Sequence, residues 1–587
     1  MPLIVFHSRR LRQALSQRES FGADLVFLLL IAAAVGIVLN LSHQVARPYQ
    51  AKTVISLSYG ALARYTLLSL GRGFGAYVLS LIFTLVYGTI AAHNRTAEKL
   101  MLPALDVLQA LPVLAFMPGL VLAMVYLFPY REIGLEIACI VMIFTAQAWN
   151  MTFSFHGSLR GIPTPLREVA AIQRLNGWQI FKLLEVPAAM IGLVWNSMMS
   201  MAGGWFFLTV NEAFTLGDRD FRLPGIGSYM QQAINDGNLH AQIAAVVAMT
   251  VMIVAVDQLL WRPIVVWSQR FKLEDIQSDP PQSWVLSIIR RSNIYNLLKK
   301  VFARRSHREE EVSAGFSRKL APDAPPPAWH KYARSAISWI VVAALAVFAI
   351  IGGKRLLALL IGLPLHGAPD HYDWLHVLLA LFASFGRTSA AVLIGTAWTL
   401  PVGIIIGRSP KLAERLQPVI QVTASFPAPM LFPLVTIALL YFHVPFTIGC
   451  VALMLLGAQW YILFNVIAGA TAIPADLGEV SNVYRMSRWQ RWTRLYLPSV
   501  FPYLVTGLIT AAGGAWNATI VSEYVTLHGN THVAFGLGSL ISVATNDGNY
   551  PLLAAGAVTM AFFVVLLNRV LWKRLYHLAE TRYSINM

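Results

Sequence analysis

Two carboxylates, Glu212 and Glu523, stand 311 residues apart inside stretches that are otherwise apolar. A charged group in such a setting is costly unless it meets a partner or a wet cavity, so chemistry is sought there first. Gln147, Asn150, Asn196 and Asn211 precede the first carboxylate, and Gln459, Asn465, Asn517 and Ser522 precede the second. Amides, hydroxyls and single carboxylates can bind, gate or accept hydrogen bonds, and no catalytic, cofactor or metal residue is assigned. The two cysteines, Cys139 and Cys450, fall in apolar stretches as small buried hydrophobes, with neither a disulfide nor a metal site implied. Asn150, Asn196, Asn211, Glu212, Asn517, Ser522 and Glu523, with Arg72 and Arg387, are the candidates for a pathway or gate. For Glu212 and Glu523 a structural role, accepting from backbone and neighbouring donors near the membrane boundary, competes and is slightly favoured. Arg72 and Arg387, placed near the outer ends of their spans, could draw anions inward or could snorkel to the interface.

The elements that must hold these groups follow from composition. With 57% hydrophobic and 12% charged residues and a mean hydropathy of +0.59, the chain is an integral membrane protein. A span needs about 20 mostly apolar residues, and twelve such stretches are read: near 24–43, 70–92, 106–128, 134–156, 188–210 and 241–265, then near 335–362, 388–407, 418–442, 447–470, 499–523 and 551–572. Arg9, Arg10, Arg12 and Arg18 at the N-terminus, the basic linker from Arg290 to Lys319, and Lys573 with Arg574 all fall on one side, which the positive-inside rule makes cytoplasmic. The first 23 residues precede an apolar span without a convincing cleavage site and are read as part of an uncleaved anchor. The division is a basic cytoplasmic N-terminus (1–23), a six-span half (24–266), a cytoplasmic linker (267–334), a second six-span half (335–573) and a cytoplasmic tail (574–587). The formal charge of +17 is read as topology and attraction to anionic lipid, with no nucleic-acid partner.

The halves are copies. Glu168 to Pro187 returns as Glu479 to Pro498, and at the same 311-residue shift Trp205 meets Trp516, Gly225 and Gly227 meet Gly536 and Gly538, and Asn235-Asp236-Gly237-Asn238 meets Asn546-Asp547-Gly548-Asn549. In the loop before the fifth span of each half, apolar residues recur every third position, from Ile172 to Leu184 and from Val483 to Leu495. That step drifts off any single helical face, so it predicts a short helix, a break and a second helix capped by Asn176 or Ser487. Pro187 and Pro498 are expected to close the loop. From Gly134 to Trp149 is 15 residues and from Gly449 to Trp460 is 11, which predicts fourth spans differing by about a turn and a pathway that is not symmetric.

A glutamate, small residues, a tryptophan ten positions on and a proline nineteen positions on resemble the EAA loop of ABC-importer permeases. The resemblance covers residues 60–265 and 375–572 and is strongest to the nitrate, sulfonate, taurine and bicarbonate group. Ser69 with Arg72, Ser384 with Arg387, Pro112, Pro427, Glu212, Glu523 and the following Gly-x-Gly support it. Two departures stand out: the usual glycine six residues after the glutamate is Arg174 or Arg485, and the second copy reads Glu479-Val480-Ser481.

The resemblance implies an all-α polytopic permease with about twelve transmembrane helices in two homologous halves, of type I importer form, in a bacterial cytoplasmic membrane with both termini inside. It implies ATPase-coupling loops built on Glu168, Ala170, Ala171, Arg174, Gly177 and Trp178, and on Glu479, Ser481, Arg485, Arg488 and Trp489. Two copies of an ATPase subunit would carry ATP and Mg, since no Walker-type phosphate loop occurs in the chain. A periplasmic binding protein would deliver a small solute of the nitrate, sulfonate, taurine or bicarbonate class. An ion-gradient-driven carrier of two six-span halves is the alternative.

Overall fold

The computed structural model describes residues 54–110, 112–128, 133–216, 219–271, 347, 350–364, 372–527 and 530–583. The N-terminal segment, the span near 24–43, nearly all of the linker, much of the span near 335–362 and the last four residues lie outside them.

In the first half α1 (Tyr59–His93) is followed by α2 (Arg95–Ala110), α3 (Val113–Leu127), α4 (Ile133–Arg160), the short α5 (Thr164–Ile172), α6 (Gly177–Glu212), the external α7 (Ile226–Asn235) and α8 (Leu239–Phe271). The second half repeats the order as α9 (Trp374–Arg408), α10 (Pro410–Ser425), α11 (Phe432–Tyr441), α12 (Phe446–Thr471), α13 (Ala475–Val483), α14 (Arg488–Ser522), α15 (Leu537–Asn546) and α16 (Tyr550–Ala579). Between α6 and α7 runs a two-stranded antiparallel ribbon, Thr215–Leu216 with Arg219–Asp220. Its counterpart after α14 pairs Tyr524–Leu527 with Asn530–Val533. Eight described helices are long and apolar enough to cross a membrane, or ten if each bent pair counts as one span, and these fall at ten of the twelve expected positions.

Several boundaries are corrected. The spans expected at 70–92 and 388–407 begin at Tyr59 and Trp374, started by the Ser58 and Asp373 side chains, which accept from Ala61 N and His376 N. Ser69 and Arg72, and Ser384 and Arg387, are therefore interior to long helices instead of opening them. The single spans expected at 106–128 and 418–442 are pairs bent by more than 40°, with Pro112 and Phe426-Pro427 extended at the breaks. Proline denies its predecessor the helical region, which places the break there.

Pro187 and Pro498 do not close their loops. Each sits inside a continuous helix, just after a π-turn at Phe181–Glu185 or Trp492–Tyr496, where Val186 N reaches back to Phe181 O and Leu497 N to Trp492 O. Proline has no N–H to give and its ring crowds the preceding turn, and the wider turn absorbs both. The fourth spans, α4 and α12, are 28 and 26 residues long, a smaller difference than the expected turn.

Within each half three long helices form the frame: α1, α4 and α6 in one, α9, α12 and α14 in the other. The bent pair reaches across instead. α3 packs on α14, α15 and α16, while α10 and the turn at Ala428–Leu431 pack on α6, and α10 also meets α8. This exchange of bent pairs joins the halves and leaves a space between them.

Candidate functional site: paired polar clusters, a central cavity and two exposed loops

At the α7 end of α6, Glu212 is fully buried and its carboxylate is surrounded by donors. Ser69 Oγ donates to it at 2.7 Å, Arg72 Nη1 at 2.7 Å and Gly227 N at 2.9 Å. Ser69 also accepts from Ile226 N at 2.9 Å, so one hydroxyl links α1, α6 and the start of α7. A Cβ on Gly225 would overlap the Glu212 carboxyl, and one on Gly227 would strike the Thr209 backbone. The Gly-x-Gly is thus a close approach, with the carboxylate seated on the first amides of a helix.

The second half builds the same object. Glu523 accepts from Ser384 Oγ at 2.7 Å, Arg387 Nη1 at 2.8 Å, Gly538 N at 2.9 Å and Ser539 N at 3.2 Å, and Ser384 accepts from Leu537 N at 2.8 Å. The arginines differ. Arg72 makes a two-pronged pair with Glu136, 2.6 Å on each arm, and donates to Pro224 O. Arg387 keeps the equivalent carbonyl contact, to Phe535 O at 2.7 Å, and makes one carboxylate pair, with Glu523. Glu136 was missed in the sequence, although an acid in the first turn of an apolar span was a usable signal.

A cavity of about 1000 Å³ lies between the halves. Asn150, Asn196 and Asn517 of the sequence candidates line it, together with Gln109, Tyr461 and Phe207. Asn150 accepts from Gln109 Nε2 at 3.3 Å, Asn517 accepts from Leu114 N at 3.4 Å across the halves, and Asn196 donates to Gly192 O in its own helix. Arg72, Arg387, Glu212 and Glu523 are absent from the lining: they pair with one another and with backbone. Asn211 and Ser522 are buried behind the wall, their side-chain polar atoms without a protein partner among the described residues. At positions related by the 311-residue shift the lining is unequal: Asn150 and Tyr461 face the cavity with different chemistry, and Phe207 faces it whereas Ala518 is buried.

At the opposite end the two loops project. α5 ends with Leu175 N bonded to Ala170 O and Arg174 N to Ala171 O, and α13 ends with Met486 N to Ser481 O and Arg485 N to Asn482 O. This termination requires a left-handed residue, and Arg174 (φ 52°) and Arg485 (φ 47°) supply it. The expected second helices begin at Gly177 and Arg488 with full capping boxes, Asn176 with Gln179 and Ser487 with Gln490.

Ala170 and Ser481 are buried against the body, while Glu168, Ala171, Gly177, Glu479 and Arg488 are exposed. Beside them Ile172 and Val483 are each 80% exposed, and Trp178 and Trp489 are 69% and 76% exposed. Because α6 and α14 start at these caps, each loop is continuous with a span of the frame. The frame braces them differently: His93 Nε2 meets Glu185 Oε1 at 2.8 Å in the first half, and Arg408 lies over the Tyr496 ring, 5.6 Å from its centroid, in the second.

The model of one protein family, described as binding-protein-dependent transport system inner membrane component, matches residues 84–260 and again residues 399–584. Among curated relatives, the nitrate import permease protein NrtB of Synechococcus elongatus is 31% identical over 170 residues, 29% of this chain and 57% of the relative. The bicarbonate transport system permease protein CmpB of Synechocystis sp. is 30% identical over 143 residues, 24% of this chain and 50% of the relative. A Bacillus subtilis protein, SsuC, whose name assigns it to aliphatic sulfonates transport, is 27% identical over 202 residues, 33% of this chain and 70% of the relative. The chain spans between half and 63% of the length of the nitrate and bicarbonate permeases it matches.

Proposed function

The chain belongs to the binding-protein-dependent transport system inner membrane components and carries two such permease halves in tandem, and from that premise we propose that it forms the translocation pathway of an ATP-driven importer. The cavity between the halves is the pathway. The observation that carries this reading is the cavity's position between two frames whose fifth spans each begin in an exposed, apolar-tipped loop.

The loops lie on the cytoplasmic side by the distribution of Lys and Arg. Each receives one ATPase subunit, with α5 or α13 fitting a groove through Ile172, Trp178, Val483 and Trp489. A helix with no break at its proline moves as a lever, so closure of the ATPase pair rotates α6 and α14 and reopens the cavity on the far side. A loaded binding protein docks there, on the face formed by α7, α15 and the two ribbons. The Glu212 and Glu523 clusters fix α7 and α15 to the ends of the levers and act as rigid joints outside the solute's route. The solute is a small ion of the nitrate, bicarbonate or sulfonate class, as the relatives' names suggest.

Cysteines introduced at Ile172 and at Val483 test the coupling role. Each is expected to crosslink to an ATPase subunit when that subunit is co-expressed, and ATP is expected to change the yield. Failure of both positions to capture any ATPase, with the chain correctly inserted, would contradict the reading.

A further inference from the structure

The cavity wall is chemically lopsided. Its lining carries amides, hydroxyls and aromatic rings from both halves and, among the described residues, two charged side chains, Asp106 of α2 and Lys573 of α16. These come from opposite halves and face each other with Nζ to Oδ2 at 3.7 Å. By contrast, Arg72 with Glu136 and Glu212, Arg160 with Glu98, Arg262 with Asp257 and Arg387 with Glu523 are each paired within one half. The pair is loose: the Lys573 and Asp106 side chains keep 47% and 41% exposure. The internal repeat supplies the control. Pro112 and Pro427 set the register that aligns Asp106 with Gln421, and Trp261 and Trp572 set the one that aligns Lys573 with Arg262. Gln421 is neutral, and Arg262 is off the cavity with its own carboxylate, Asp257, at 3.8 Å in the same half.

We propose that Lys573 is an anion-binding residue on one wall of the cavity mouth and that Asp106 is its resting counter-ion. The inference rests on the reading of the cavity as the pathway. An anion inside finds one ammonium and otherwise only weakly polar donors, and in the partly dehydrated cavity the attraction of opposite charges is stronger than in bulk water. Asp106 competes for the same ammonium. A solute's anionic group displaces it on leaving, and the loose cross-half pair then re-forms. Exit is one-sided, because the repeat-related position on the opposite wall of the cavity is the neutral Gln421. A polar trail from Asn150 through Gln109 leads to the pair: Gln109 donates to Asn150 and stands one turn along α2 from Asp106.

The test uses the full chain purified in detergent, with the thermal unfolding midpoint followed against nitrate, bicarbonate and ethanesulfonate at fixed ionic strength. Asp106→Asn frees the ammonium, so its stabilisation by at least one of these anions should appear at about tenfold lower concentration than in the parent chain. Lys573→Gln should abolish the response, and Lys573→Arg, which keeps the charge, should retain it and shows that the position tolerates change. A response that survives Lys573→Gln, or no difference between the parent chain and Asp106→Asn with all three anions, overturns the proposal. ATPase capture by the loops is read separately, so a failure here leaves the permease reading standing.

Discussion

The arginine of the first half, Arg72, is held by two carboxylates, whereas its counterpart Arg387 has one carboxylate and a backbone carbonyl. The two clusters are otherwise built from the same parts in the same places: a serine relay, a buried glutamate and two glycines that let a short helix come down onto it. The difference repeats at the other end of the levers, where the His93–Glu185 contact braces α6 and a cation over an aromatic ring braces α14. It recurs at the cavity, where one mouth wall is charged and the other neutral. What the two copies share is the serine–glutamate–glycine joint and the capped loop. What differs is the bracing around these and the polar groups that face the cavity.

The largest expected effect breaks this comparison directly. Replacing Glu523 with Ala leaves Arg387, whose side chain is 10% exposed, without a carboxylate, a change expected to cost about 3 kcal/mol. Glu212→Ala should cost less, because Arg72 keeps Glu136. Thermal unfolding of the two purified variants would show it, and equal losses would mean that Glu136 does not support Arg72. A smaller effect tests the sameness of the loops. Asn176→Ala and Ser487→Ala each remove a capping box and should destabilise the lever's first turn by about 1 kcal/mol, to the same extent in both halves, as read by amide hydrogen exchange across 176–182 and 487–493.

The smallest effect is a gain. A left-handed non-glycine residue costs about 1–2 kcal/mol, and glycine returns about 0.4–1 kcal/mol of that through the unfolded chain. Arg174→Gly and Arg485→Gly should therefore each stabilise by roughly 0.5–1 kcal/mol, provided the arginine side chains are not needed for docking. A gain in one loop and a loss in the other would show that the loops have parted in function.

Much of this was legible in the chain, for identifiable reasons. Asn176 and Ser487 act over three residues, so the caps and the break between helices could be read locally. The duplication was visible because spacing survives when side chains change. The buried clusters were half legible: the cost of a charge in an apolar span announces Glu212 and Arg72, but their partnership spans 140 residues and is set by packing. Arg72 and Arg387 were for that reason entertained as anion attractors, and the folded chain seats them in internal pairs instead. Prolines have several outcomes that composition does not distinguish: the helix breaks at Pro112 and Pro427, widens before Pro187 and Pro498, and runs on through Pro118 and Pro401.

The measurement that bears most directly on the central claim, two equal driving loops on one unequal pathway, is the native mass of the complex purified through a tag on this chain. One copy of the chain with two ATPase subunits is the predicted composition, with loss of one subunit when either loop's apolar tip, Ile172 with Trp178 or Val483 with Trp489, is replaced by Asp. An assembly with a single ATPase, or one that needs two copies of this chain, would contradict it.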